Sequence, residues 1–104
     1  MSEAAYDLGT EIYGHLQGYI KGSSGYNETG MQITESCNEY SSDMDIENSE
    51  QDYRMMLMCT FAGMSMSTYE ESDESIEDAR KYLDAVGCLL KSGELSEYMS
   101  SILE

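Results

Sequence analysis

The sequence predicts an all-α fold: one domain over residues 1–104, built as a small four- or five-helix bundle with one central Met-rich apolar helix. Three observations predict it. Apolar residues recur at spacings of three and four through several segments, the signature of one buried helix face. Proline is absent, so no segment carries an obligatory break. No stretch alternates apolar and polar residues for the length of a convincing strand. A chain of this size supports a single core and buries only about 60–70% of its unfolded surface, so modest stability is expected.

The first helix follows Ser2, a good N-cap, and is striped by Ala5, Leu8, Ile12, Leu16, Tyr19 and Ile20. Lys21 suits the negative end of its dipole, and Gly22 suits the C′ position that stops it. Gly9, Gly14 and Gly18 inside it each cost roughly 0.8–1 kcal/mol relative to Ala. Gly14 and Gly18 share a face, and close approach of a neighbouring helix there is the favoured reason. After the flexible Gly22-Ser23-Ser24-Gly25 loop the chain reads helical from Thr29, with Ile33, Cys37 and Tyr40 inward. Residues 41–48 lack a sustained period and read as a polar connection.

Ser49-Glu50-Gln51-Asp52 resembles a capping box with Asp in place of the usual Glu, opening a helix from Glu50 to about Thr68. Met55, Met56, Leu57, Met58, Cys59, Phe61, Ala62, Met64 and Met66 cover most of its circumference, which places it at the centre of the bundle or in an interface. Beyond an acidic break, Asp73 or Ser75 is expected to cap a fourth helix striped by Ile76, Ala79, Leu83, Val86 and Leu90, solvated at Arg80 and Lys81, and stopped by Gly93. Leu95, Met99, Ile102 and Leu103 mark a last short helix.

Charge bounds the function. There are 21 Asp and Glu against five Lys and Arg, a net charge of −16. That is about twice the upper end usual for a small domain. Such a surface repels nucleic acid and anionic membrane, so neither is expected as a direct partner. High charge also favours disorder, but 40% apolar content, nine Met, nine Tyr and clear periodicity argue for a folded chain with one or two mobile loops. Cys37, Cys59 and Cys88 are odd in number and not closely spaced, and no secretory segment follows Met1. A reducing cytoplasm is the expected compartment, with the cysteines acting as small buried apolar residues.

Catalytic and metal-binding patterns are not found. The sole histidine, His15, lacks partners at ligand or acid–base spacing and reads as a surface or half-buried residue. The glycines of the first helix are not followed by the Lys-Ser/Thr of a phosphate loop. Asp43, Asp45 and Glu47 imitate the start of a calcium loop, but positions 6, 8 and 12 of that template fall on Asn48, Glu50 and Arg54. With so many acids, close carboxylate pairs carry no information. No enzyme activity, cofactor or metal is therefore expected.

The informative feature is where the charge lies. Residues 22–53 hold eight acids and no Lys or Arg, and Glu70, Glu71, Asp73, Glu74, Glu77 and Asp78 form a second run. Tyr26, Tyr40, Tyr53 and Tyr69 fall in or beside these runs, as aromatic anchors of a wet interface do, while Tyr19 and Tyr82 read as core. In size, charge and helicity the whole chain resembles phage antirestriction and anti-CRISPR proteins that mimic DNA, and looks like the immunity proteins that neutralise nuclease toxins. The resemblance implies a non-enzymatic inhibitor of a basic, nucleic-acid-handling protein such as a nuclease. The expected contact residues, chosen from the charge runs, are Glu35, Glu39, Asp43, Asp45, Glu47, Glu70, Glu71, Asp73 and Glu74, with Tyr40 among them. The alternative is a helical chaperone or adaptor, or a homo-oligomer such as a homodimer, that docks an apolar segment on the Met-rich helix 50–68.

Overall fold

Five α-helices and one short 3₁₀ turn account for the computed structural model, which describes residues 1–103 apart from the side chains of Tyr98 and Leu103. They are α1 (Glu3–Ile20), α2 (Tyr26–Tyr40), the 3₁₀ turn Ser41–Asp43, α3 (Glu50–Thr68), α4 (Ser75–Ser92) and α5 (Glu97–Leu103). The first four run up-down-up-down. Each of α1 and α3 lies between α2 and α4, and α5 folds back beside α4. No strand occurs among the described residues.

Local signals set the helix ends. Ser2 Oγ accepts the Ala5 N–H at 3.1 Å, the expected N-cap of α1. At its other end Gly22 takes φ 85°, and the Gly22 and Ser23 N–H groups return to the Tyr19 and Gly18 carbonyls. Ser49 Oγ caps α3 through the Asp52 N–H at 3.2 Å, and Gly93 ends α4 at φ 73°. Two boundaries differ from expectation. The second helix begins at Tyr26, three residues before Thr29, because Tyr26 packs edge-to-face on Tyr19 with ring centroids 5.5 Å apart. The fourth is capped by neither Asp73 nor Ser75: Ser75 is its first residue, buried, and its hydroxyl accepts the Ser72 N–H at 2.8 Å.

The core is shared by all five helices. From α1 come Ala5, Leu8, Ile12, Leu16 and Tyr19, and α2 adds Ile33 and Cys37. The Met-rich α3 supplies Met55, Met58, Cys59, Ala62 and Met66; of its nine apolar residues only Met64 is exposed, at 60%. In α4 the deepest positions are Ala79, Tyr82, Ala85, Val86 and Leu89, so Ile76, Leu83 and Leu90 are only half-buried. From α5, Met99 is fully buried while Ile102 stays exposed; the side chain of Leu103 lies outside the described residues. Met44, in the connection read as polar, is also buried.

Close helix approach occurs at glycines other than those expected. A Cβ on Gly14 would meet nothing within 4 Å, and one on Gly18 only the Ser24 hydroxyl. On Gly9 it would meet Met55 and Leu90 side chains, and on Gly30 it would collide with the Ser67 backbone nitrogen. Gly63, also buried, faces Thr34 and Ile33 in the same way. Gly30 and Gly63 thus draw α2 and α3 together, the most extensive helix contact in the molecule.

Gly30→Ala is expected to destabilise by roughly 1–3 kcal/mol, because the helix backbones themselves must separate. Gly14→Ala, in open space, is expected to stabilise by up to about 1 kcal/mol. Urea unfolding followed by circular dichroism checks both, and a Gly30→Ala protein as stable as wild type contradicts this packing.

Candidate partner-binding surface

Antiparallel packing of α2 against α1 and α3 sorts the acids into two poles. At one pole, the Ser2 N–H donates to Asp52 Oδ1 at 2.8 Å, and the Asp45 N–H donates to Asp52 Oδ2 at 2.9 Å. This joins the start of α1, the 43–49 connection and the first turn of α3. At the other pole, Asn27 Nδ2 donates to the Met66 and Tyr69 carbonyls, which fixes the end of α3 against the first turn of α2. Asp43, Asp45 and Glu47 belong to the first pole, and Glu70, Glu71, Asp73 and Glu74 to the second. The two groups lie at opposite ends of α2, whose 15 residues span roughly 22 Å.

Between the poles, Glu28, Glu35 and Glu39 are exposed on α2, at spacings of seven and four that keep them on one face, and Asp43 continues the row. All nine acids expected to contact a partner are exposed. None of them forms an ion pair among the described residues; Arg54 engages Glu50 at 2.7 Å, Lys81 engages Glu77 at 3.9 Å and His15 lies 3.8 Å from Glu11. Three of the five cations, Arg80, Lys81 and Lys91, stand on α4, which packs on α1 and α3 rather than on α2. The charge distribution is therefore lopsided: acid along α2 and at both poles, cations concentrated on α4.

Not every candidate is free. Tyr40 is half-buried, and its hydroxyl donates to Glu11 Oε2 at 2.9 Å, which pushes its pKa up. Ser36 donates to Glu11 Oε1 at 2.9 Å and lies 3.4 Å from His15 Nε2, so the half-buried His15 belongs to a polar seam between α1 and α2. Asp45 Oδ1 accepts from the Asn48 N–H and side-chain amide, stiffening its loop. Glu71 accepts the Tyr19 hydroxyl at 2.5 Å; burial first, and this carboxylate second, push Tyr19 to about 12. Of the tyrosines near the acid runs, Tyr26 is core, whereas Tyr53 and Tyr69 are 48% and 66% exposed. Tyr26 is thus removed from the interface set, because its ring is needed against Tyr19.

Depressions in the surface of the described residues include the following three. One of about 550 Å³ runs between α1 and α4 beside Tyr6, Tyr13, Leu83 and Gly87. A second, of about 340 Å³, lies at the first acidic pole between Glu3, Asp7, Tyr40 and Asp43. The third is a narrow groove of about 110 Å³ between α2 and α3. Among the described residues no group of three or more His, Cys, Asp or Glu is placed to hold a metal ion, and no helix is long and apolar enough to cross a membrane. Comparison of the chain with protein-family models, with curated proteins and with solved structures finds no match.

Asp52, expected at N3 of a capping box and counted in the 22–53 acid run, turns its carboxylate to the Ser2 and Asp45 N–H groups instead. The Ser49 N–H donates to the Asp45 carbonyl. Asp52 is fully buried, and its role comes from residues seven and fifty positions away, which no local spacing signals. Burial pushes its pKa up, but hydrogen bonds from Ser2, Asp45 and Ser49 outweigh this and hold it below the usual carboxylate value. A depressed carboxylate contributes stability that is present above its unfolded pKa and lost as pH falls through the folded one. Asp52→Asn is accordingly expected to cost about 1–3 kcal/mol at neutral pH, since an amide replaces one of two acceptor oxygens. The gap between wild type and variant should narrow as pH drops below about 4. Paired denaturation curves across that range check it; a gap independent of pH contradicts the ionised-acceptor role.

Proposed function

We propose that the protein is a non-enzymatic acidic inhibitor that binds a basic, nucleic-acid-handling protein through the α2 face and its two flanking poles. The carrying observation is that the exposed acids of this face have no ion-pair partner among the described residues, while the chain's cations are concentrated on α4. Its dimensions suit the comparison with DNA. The longest extent of the molecule is 38 Å. A duplex of that length carries about 22 phosphate charges, at one per ~1.7 Å. The protein sets a net −16 over the same span. A cleft whose Lys and Arg normally grip phosphates would find carboxylates at comparable density, and long-range attraction would speed encounter. An antirestriction, anti-CRISPR or nuclease-immunity role, in the cytoplasm, belongs to this proposal. The alternative of an adaptor or homo-oligomer docking through α3 draws on the exposed Met64 and Tyr53 and the half-buried Met56.

Charge reversal of Glu35, Glu39, Asp43 and Glu47 to Lys is expected to weaken binding to partners recovered by pull-down roughly 100-fold or more, with helicity unchanged. Added salt is expected to weaken the wild-type complex while raising the melting temperature of the free protein, since screening relieves self-repulsion. Undiminished binding by the reversed variant removes the inhibitor reading.

A further inference from the structure

The groove between α2 and α3 is lined by Thr34, Cys37, Asn38 and Ser41 on one side and Met56, Thr60 and Met64 on the other, with the Ser41 hydroxyl donating to the Asn38 carbonyl at 3.1 Å. Its surface is less polar than this list suggests. Thr34 Oγ1 donates to the Gly30 carbonyl at 3.0 Å, and Thr60 Oγ1 to Met56 Sδ at 3.5 Å, so both hydroxyls are used within their own helices. Met64 stands 60% exposed at its edge, although every other methionine of α3 is buried or half-buried. The volume, about 110 Å³, is somewhat less than the ~150 Å³ apolar cavity that holds a benzene ring. It has room for one aliphatic side chain. Flexible thioethers let such a wall adapt to its occupant.

The two lips of the groove differ in charge. On α2, the exposed Glu35 and Glu39 stand about 100° round the helix from the lining residues Thr34 and Asn38, one turn apart on the solvent side of the groove. On the α3 lip, between Tyr53 and Tyr69, the one charged residue is Arg54, bonded to Glu50 and to the Gly93 carbonyl. A second copy of this chain is a poor occupant. It would bring a net −16 against −16, and its residues 22–53 offer no cation to meet Glu35 or Glu39. An uncharged apolar helix would leave the acidic lip unanswered.

We propose that this groove is the apolar anchor point of the partner surface, and that it receives one Leu- or Met-sized side chain from a cationic amphipathic helix whose Lys or Arg residues align with Glu35 and Glu39. This deepens, and rests on, the acidic-inhibitor reading. The acids supply attraction and orientation, and the groove supplies the desolvated contact that slows dissociation.

Two synthetic Lys-rich helical peptides test it, identical except that a single central Leu is replaced by Gln in the second. Titration calorimetry gives affinities, and [methyl-¹³C]Met NMR of the wild-type protein reports on the groove without any variant. The expected result is roughly tenfold or tighter binding of the Leu peptide, as burial of one such side chain supplies, with Met56 and Met64 methyl signals shifted and those of Met44 and Met99 unmoved. Equal, salt-sensitive binding of both peptides with Met56 and Met64 unmoved overturns the groove and leaves the acidic reading standing. Binding of neither peptide at low salt overturns both. Leu-peptide binding that persists at high salt and in a Glu35→Lys, Glu39→Lys variant overturns the acidic reading and the cationic occupant with it.

Discussion

The arrangement of this protein depends on one buried carboxylate. The chain has 21 acids, and among the described residues Asp52 alone lies fully inside. Burying a charge is costly unless it is richly hydrogen-bonded. Here no cation answers it; backbone N–H groups of Ser2 and Asp45, from two other segments, do. Because those donors belong to the entry of α1 and to the loop before α3, the interaction closes one end of the bundle. It also sets where the backbone of the 43–49 loop runs, and so where Asp43, Asp45 and Glu47 stand relative to α2.

Close packing between α2 and α3 supplies the second constraint. With no Cβ at Gly30 or Gly63, the two backbones approach until little room is left between them. A helix drawn in this tightly turns a narrow face inward, through Thr29, Gly30, Ile33, Ser36 and Cys37, and gives the remainder to solvent. Glu28, Glu35 and Glu39 occupy that remainder as a row. The groove at Met56, Thr60 and Met64 follows from the same geometry, since small residues at the contact leave the larger ones beside it incompletely covered.

What was legible in the sequence was local. Ser2, Gly22, Ser49 and Gly93 act within a turn of where they stand, and α3 runs from Glu50 to Thr68 as its cap and periodicity require. What was not legible depends on residues distant in the chain. Tyr26 joins α2 because of Tyr19, and Ser75 turns to Ser72 rather than capping α4. The stripe of α4 is centred on Tyr82 and Leu89 because α1 and α3 approach it from that side. For the candidate surface, exposure of the acids was readable from composition, since carboxylates are rarely buried unpaired. Their division into two poles joined by a row was not, because it requires the antiparallel order of α1, α2 and α3.

The cost of gathering like charges bears on how such a surface would act. Carboxylates one or two helical turns apart repel in the free protein, so folding must hold them against their own field. That repulsion is smaller along a row of exposed side chains in water than it would be in a cleft, where the dielectric is low. A cationic partner removes it, so part of the free energy of association is relief of strain already present in the unbound state. Rigidity matters for the same reason. On a flexible chain the acids would spread apart and relax before any partner arrived, whereas α2, held by Gly30 and Gly63 and closed off by Asp52, keeps them in position.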